Sequence, residues 1–239
     1  QTPANEPDRE SKVKSLVQNL LDGNFEEVLK ALAKNNNREW FALHKPTYEI
    51  AKLEVIAFAE KIFQASAAFD PNYKNLLAPK CVMRIYRDVR FSKNKAPYKT
   101  NFGIAYASEG KLVGGTGCFI HIQPGASFVA GGYYLPSSED LKKIRQEIDY
   151  NLAEFESIIQ ASAFKKQFGS LSIEDKLKTA PREYPKDHLA IELLKLKSFI
   201  GIKPLSDEIL CSGQAIKEIV AANKAIAPLR AFLANAIKA

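Results

Sequence analysis

The sequence predicts an α+β protein with a helical N-terminal third, a central antiparallel sheet, helices packed on that sheet and a mixed C-terminal region. Apolar residues recur at helical spacing through roughly the first 70 residues, and segments rich in β-branched and aromatic residues fill the middle third. Helical spacing returns after a proline and serine cluster near residue 137. The 239 residues, 46% of them hydrophobic, are enough to bury a substantial core in one large domain.

Capping signals divide the N-terminal third into helices. An apolar stripe over residues 13–21, ended by Gly23, predicts a first helix after a polar start. Asn24 and Asn36 each precede a glutamate by three residues, a capping-box-like arrangement that predicts two further helix starts. Pro46 suits the first turn of a longer helix, because the amide hydrogen that proline lacks has no helical partner there.

The middle third has the pattern of antiparallel β-structure. Residues 81–91 alternate apolar and polar side chains, and residues 117–123 and 127–134 are rich in strand-forming residues. The Pro-Gly-Ala sequence at 124–126 is typical of a hairpin connection between the last two segments. We therefore expect a sheet that contains this hairpin and a strand at 81–91.

The C-terminal part combines helices with one strand. Ser137 and the acidic residues after it predict a helix that continues to about Ala161. The later predictions are a loop at 181–185, a short helix at 189–194, a strand at 196–202 and a long helix at 212–237 that is kinked at Pro228. We expect a tail and helix at 1–23 and a single α+β domain at 24–239, with a C-terminal subdomain from about 176 as an alternative.

Composition narrows the class of protein. The net charge of +7 permits nucleic acids or anionic metabolites as partners. Three distant cysteines without a C-x-x-C pair argue against a disulfide framework or structural zinc, and they favour a cytoplasmic location. We expect no membrane span, because no run of about 18 apolar residues occurs. The polar N-terminus has no signal-peptide pattern. Because the sequence does not begin with methionine, a leader that has been removed stays an alternative.

Positive charge is concentrated in one segment, residues 84–99. Six cationic side chains and one acidic side chain give it a local net charge of +5, interleaved with aromatic residues. Like charges at this density repel one another, so they need acidic partners in the fold or an anionic ligand. The segment is therefore the first candidate for a binding site. Its candidate ligand-binding residues are Arg84, Arg87, Arg90, Lys93, Lys95, Tyr98 and Lys99.

Strand geometry would divide the arginines between two faces. Alternation places Arg87 among apolar side chains, where an unpaired guanidinium is costly. Arg87 is therefore expected to pair with a helix carboxylate, to face a ligand, or to lie at a bulge that reverses the alternation. On the other face, Asp88 could orient Arg84 or Arg90 to capture a phosphate or carboxylate. The alternative is a solvated face with local charge pairs.

No complete catalytic signature accompanies the basic segment. His121, in the predicted hairpin, could act as an acid or base if it faced the basic residues, and Asp88 is a second weak candidate. The alternative for His121 is a structural or exposed histidine. No histidine pair has metal-ligand spacing and no motif predicts a cofactor, so we expect neither a metal nor a cofactor. Gly131 and Gly132 predict a bulge or a close backbone approach, with ligand access as the alternative.

Three motifs resemble one known family. They are Asn-Asn-Asn-Arg-Glu-Trp-Phe at 35–41, the basic segment, and Gly-Gly-Tyr at 131–133 with its following proline. On these motifs the chain resembles, over about residues 24–232, the bacterial and fungal proteins grouped as domain-of-unknown-function family 2461. The basic segment departs from the family pattern at Asn94 and Ala96, where that pattern favours Asp and Thr. The resemblance implies a shared architecture and no established reaction.

These observations lead to one leading hypothesis and three alternatives. The leading hypothesis is a module that binds a phosphate- or carboxylate-bearing small molecule through the basic segment. The alternatives are an enzyme acting on a phosphorylated or nucleotide-like substrate, a nucleic-acid-binding protein whose affinity falls steeply with salt, and a charge cluster that only stabilises the fold. Neither a membrane partner nor an oligomeric state is predicted.

Overall fold

The computed structural model describes residues 24–107, 110–112 and 115–238. Five strands form one sheet: β1 Phe102–Ala107, β2 Gly110–Lys111, β3 Gly117–Ile122, β4 Ser127–Tyr133 and β5 Phe199–Leu205. Their order across the sheet is β2-β1-β3-β4-β5, and every neighbouring pair is antiparallel. β3 and β4 are the predicted hairpin. The α+β class with its helical N-terminal part is therefore confirmed, while the helix predicted at 13–21 lies outside the described residues.

Helices pack against one face of this sheet. Within the described ranges they are α1 Asn24–Lys34, α2 Arg38–Ser66, α3 Ala78–Cys81, α4 Ser138–Tyr150, α5 Leu152–Gln160, α6 Ser162–Phe168, α7 Ile191–Leu194, α8 Asp207–Leu210 and α9 Ala215–Lys238, with a 3-10 helix at Pro71–Asn75. The long helices α2 and α9 contact each other, and they also pack on β1 and β4 respectively. The two longest helices thus cover the middle of the sheet.

Alternate side chains of the strands build the core. In β3, Cys118, Ile120 and Ile122 are buried beneath the helices, whereas Phe119 and His121 are half-buried on the opposite face. β5 and α9 follow residue 176 in the chain and share the sheet and core with earlier elements. A separate subdomain from about residue 176 stays a prediction.

The start of α2 differs in detail from its sequence pattern. Asn37, not Asn36, caps the helix, because its side-chain oxygen accepts a hydrogen bond from the Trp40 amide at 2.8 Å. Pro46 lies inside α2 rather than in the first turn of another helix, since α2 already begins at Arg38. The side chain of Asn36 is therefore available for a tertiary contact.

The strand predicted at 81–91 is wrong. Cys81 ends the short helix α3, and Val82 forms only an isolated bridge with Ile104 of β1. Burial does alternate from Ile85 to Arg90, but a strand also requires a continuous partner, which local sequence does not specify. The sequence of β1 does not alternate between apolar and polar residues, because all six residues of this strand are buried.

Two further boundaries differ from their predictions. The helix expected to run to about Ala161 is divided at Asn151 into α4 and α5. β5 begins at Phe199, three residues later than the strand predicted from 196. Pro228 lies within α9, and the kink expected there stays a prediction.

Close backbone packing accounts for the Gly131 and Gly132 pair. A Cβ atom on Gly131 would lie 2.8 Å from Cγ2 of Ile226 in α9, and one on Gly132 would lie 2.0 Å from the Phe199 carbonyl oxygen of β5. Gly132 also has a φ of +123°, which side chains rarely adopt. The predicted close backbone approach is therefore confirmed.

Candidate anion-binding site

Residues 84–99 form a loop with two limbs, called the basic arm below, at the edge of β1. The limbs pair near their base, where the Lys99 amide donates to the Ile85 carbonyl at 2.8 Å. Tyr86 and Tyr98 face each other in an isolated β-bridge one residue further out. The arm is therefore a short hairpin-like extension and not a strand of the main sheet.

Asn36 anchors the arm to the start of α2. Its side-chain amide donates to the Tyr98 carbonyl at 3.0 Å, and its side-chain oxygen accepts from the Tyr98 amide at 3.0 Å. Phe41 stacks on the buried Tyr98 ring, with the centroids 4.1 Å apart. Tyr98, one of the predicted ligand-binding residues, thus holds the arm in place by packing.

Arg87 closes the arm from within. Its guanidinium is half-buried, and it donates to the Ala96 carbonyl at 3.1 Å and to the Ser92 hydroxyl at 3.3 Å. Both acceptors are uncharged and belong to the arm itself, so the expected pairing with a helix carboxylate is wrong, while a ligand contact of Arg87 stays a prediction. A guanidinium suits the position because its fork can reach two acceptors at once.

Two more cations are bound inside the arm. Arg90 forms a fork on the Asp88 carboxylate, with Nη2 donating to Oδ2 at 2.7 Å and Nε to Oδ1 at 3.0 Å. These hydrogen bonds hold the pKa of the Asp88 carboxyl below its usual range, so Asp88 is a poor candidate for a general acid. Lys95 donates to the Val89 carbonyl at 3.0 Å. The exposed Arg90–Asp88 pair fits both predictions for this face, an arginine oriented for anion capture and a local charge pair in solvent, so capture of an anion there stays a prediction.

Arg84, Lys93 and Lys99 are the remaining cations of the arm. Among the described residues none of the three forms an ion pair or a side-chain hydrogen bond, although the positive charge of Arg84 helps to lower the pKa of the Asp88 carboxyl. Lys99 is half-buried beside the paired base of the arm, and burial lowers the pKa of its ammonium group. The nearby positive charge of Arg84 lowers this pKa further. The positive charge of Arg84 thus repels the Lys99 ammonium group and attracts the Asp88 carboxylate.

Two aromatic side chains of the arm face solvent. The Phe91 side chain near the tip is 97% exposed, and Tyr86 is 52% exposed. The Arg90 guanidinium lies 5.9 Å from the centroid of the Phe91 ring. The exposed part of the arm therefore combines cations with aromatic rings.

His121 lies in β3, on the sheet face opposite the core. Its Nε2 is 2.9 Å from Oε1 of Gln123, and its ring stacks on Phe128 with centroids 4.8 Å apart. These contacts match the alternative of a hydrogen-bonded structural histidine. No contact among the described residues connects the imidazole to the cations of the arm.

Comparison with known proteins adds one finding. The model of a family of conserved hypothetical proteins, DUF2461, matches residues 24–232. The chain belongs to the DUF2461 family. No curated protein and no solved structure matches it.

The fold of this DUF2461 protein brings two of its three motifs together. Asn36 and Phe41 of the first motif contact Tyr98 of the basic segment, whereas Gly131 and Gly132 serve packing between β4, β5 and α9. Within the described ranges no group of three or more His, Cys, Asp or Glu side chains could hold a metal ion. In the same ranges no helix has the length and apolarity that a membrane span requires.

Sequence reasoning missed a buried polar network in the core of this DUF2461 protein. Arg230 of α9 donates to the Tyr73 hydroxyl at 2.9 Å and lies 3.6 Å from Sγ of Cys118. Tyr106 donates to Oδ1 of Asn223 at 3.0 Å. Burial raises the pKa of the Cys118 thiol, so this thiol is not an activated nucleophile. The available signal was the spacing of Asn223 and Arg230, seven residues apart on the buried face of α9.

An apolar groove between α1 and α2 was also missed. It encloses about 310 Å³ and is lined by residues including Val28, Trp40, Phe41 and His44. The Trp40 and His44 rings stack with centroids 4.0 Å apart. Because Phe41 also stacks on Tyr98, the groove and the base of the arm share one side chain.

Proposed function

We propose that this DUF2461 protein binds an anionic, phosphate- or carboxylate-bearing ligand at the base of the basic arm. Arg84 and Lys99 are the primary contacts, and Lys93 adds a third positive charge to the arm. The observation that carries the proposal is that Arg84, Lys93 and Lys99 form no ion pair or side-chain hydrogen bond among the described residues, while the charge of Arg84 lowers the pKa of Lys99. An anion at the base of the arm would be attracted by these charges and would accept charge-assisted hydrogen bonds from Arg84 and Lys99.

The other residues of the arm support this role indirectly. Arg87, Arg90 and Lys95 satisfy hydrogen-bond acceptors within the arm, and they thereby hold its shape. The backbone bond from Lys99 to Ile85 keeps the base of the arm closed before any ligand arrives. A site organised in advance loses less entropy when it binds.

Binding is proposed rather than catalysis. An enzyme that acts on a phosphorylated substrate would need a group that transfers protons beside these cations. Asp88 is held as a carboxylate by Arg90, and His121 bonds Gln123 instead. Neither contact favours the enzyme alternative.

The experiment is calorimetric titration with inorganic tripolyphosphate and, in parallel, citrate at low salt. We expect Arg84→Gln and Lys99→Gln each to weaken binding about tenfold, the effect of losing one hydrogen bond to a charged group. The matched control is Lys142→Gln, because Lys142 is an exposed lysine of α4 outside the arm. The proposal would be refuted if the variant that carries both substitutions, Arg84→Gln and Lys99→Gln, bound with the affinity of the parent protein. It would also be refuted if the parent protein bound neither anion.

A further inference from the structure

The outward side of the basic arm carries aromatic rings between its cations. Burial alternates along the first limb, so that Arg84, Tyr86, Asp88 and Arg90 are all exposed while Ile85 between them is buried. Phe91 follows at the tip with 97% of its side chain in water. An apolar ring that is almost fully exposed gains nothing from the fold, since burying such a side chain is worth about 1.5–3 kcal/mol.

This combination matches one class of ligand. Proteins that bind single-stranded nucleic acids join a cationic track for phosphates to aromatic rings on which bases stack. In a duplex the base faces are already covered by their neighbours, so an exposed ring has a partner only in a single strand. The arm has both parts: Arg84 and Lys93 are exposed cations and Lys99 is a half-buried one, none of the three in an ion pair among the described residues, and Tyr86 and Phe91 are exposed rings.

We infer that the basic arm binds single-stranded nucleic acid, with phosphates at Arg84, Lys93 and Lys99 and bases stacked on Tyr86 and Phe91. The inference rests on the proposed anion site and names its ligand. Residues 86–91 span about 17 Å if extended at about 3.3 Å each, which suits a contact with only a few nucleotides. Arg90 near the Phe91 ring adds a positive charge beside the stacked base.

The test is fluorescence anisotropy with labelled oligothymidylate and oligouridylate of about eight nucleotides, between about 50 and 200 mM salt. We expect the logarithm of the binding constant to fall with the logarithm of salt at a slope near −2, since each single-strand phosphate contact contributes about −0.7. The two oligonucleotides distinguish DNA from RNA as the source of the strand.

Leucine variants separate stacking from charge. Phe91→Leu and Tyr86→Leu keep an apolar side chain and every positive charge, and each is expected to weaken oligonucleotide binding at least about fivefold. Tripolyphosphate binding by these variants should match that of the parent protein. The matched control is Tyr134→Leu, because Tyr134 is 63% exposed and lies outside the arm.

The outcomes distinguish the inference of nucleic-acid binding from the proposed anion site. Oligonucleotide binding that is unchanged in both leucine variants would overturn the inference, and so would oligonucleotide binding no tighter than that of tripolyphosphate. Tighter binding of a duplex than of a single strand would also overturn it. In each of these cases tripolyphosphate binding that depends on Arg84 and Lys99 would leave the anion site standing. Failure of the parent protein to bind any of these probes would refute both.

Discussion

The side chain of Asn36 exchanges two hydrogen bonds with the backbone of Tyr98, both at 3.0 Å. The amide of Asn36 thus takes the place of a strand partner, because it satisfies the N–H and the C=O of one residue together. It also joins the start of α2 to the far limb of the basic arm. The arm therefore depends on a residue 62 positions away in the chain.

Replacing Asn36 should loosen the arm. Asn36→Ala leaves the buried Tyr98 backbone groups without their partners, which should lower the free energy of unfolding by about 1–3 kcal/mol. Urea denaturation measures this loss. The control is Asn35→Ala, since the exposed Asn35 amide donates only to the Ala31 carbonyl of its own helix in the described structure. Equal denaturation midpoints for the two variants would contradict the anchoring role.

Gly132 should tolerate no side chain. In Gly132→Ala the new methyl group would lie 2.0 Å from the Phe199 carbonyl oxygen, at a φ of +123°. We expect a loss of about 3 kcal/mol or more, measured by urea denaturation. Gly125→Ala is the matched control, because Gly125 also has a positive φ of +73° but no atom within 4 Å of the added carbon. That variant should lose only about 1–2 kcal/mol, and equal losses would contradict the packing argument.

Glu54 should make stability depend on pH. This side chain of α2 is fully buried, its two carboxylate oxygens have no hydrogen-bond partner among the described residues, and burial raises its pKa. The folded protein therefore keeps the proton to a higher pH than the unfolded chain, which loses it near the usual value of about 4.5. Stability should fall as pH rises from that value toward the raised pKa, by at most about 1.4 kcal/mol per pH unit.

The Glu54 prediction is checked by denaturation of Glu54→Gln across this pH range. The amide does not titrate, so the stability of the variant relative to the parent protein should grow with pH and then level off. Glu60→Gln is the control, because Glu60 lies on the same helix and is exposed. Parallel pH profiles for the parent protein and Glu54→Gln would show that folding does not raise the pKa of Glu54.

As pH rises, anion binding should begin to weaken at a lower pH than it would if Lys99 had the usual lysine pKa. Burial and Arg84 lower the pKa of Lys99, so its charge is lost below the usual lysine range. Tripolyphosphate affinity should then fall about tenfold as this proton leaves, the effect of one charge-assisted hydrogen bond. In Lys99→Arg the guanidinium stays protonated, so the affinity should hold to higher pH.

Calorimetric titration over a pH series measures the difference between Lys99→Arg and the parent protein. Lys142→Arg is the matched control, because Lys142 is an exposed lysine outside the arm. Its pH profile should follow that of the parent protein. A Lys99→Arg profile that also follows the parent would exclude Lys99 from the site.

Local patterns predicted most of the longer helices and the hairpin, but not the short helices α3, α6 and α8 and not the whole sheet. Helix α4 begins at the serine cap expected from the sequence, and the Pro-Gly-Ala turn joins β3 to β4. Both depend on interactions within a few residues. β1 was missed because burial on both faces removes the alternation that marks a strand.

The candidate site, too, was predicted only in part from the sequence. Charge density alone located the basic arm, and alternation correctly placed Arg84, Asp88 and Arg90 on its exposed side. It could not distinguish Arg87, which closes the loop through Ala96, from Arg84, whose guanidinium forms no hydrogen bond among the described residues. That difference arises when the limbs pair, because pairing brings carbonyl groups of the second limb to the cations of the first.

The sequence by itself determined that the N-terminal part is helical, which hairpin forms, and where positive charge concentrates, because these follow from periodicity, turn residues and composition over short stretches. Only the tertiary structure decided that residues 84–99 form an arm outside the sheet, that Asn36 holds this arm, and that Arg87 closes it through Ala96. Those relationships join residues distant in sequence. Burial and backbone pairing select them, and neither is encoded within any single segment of the chain.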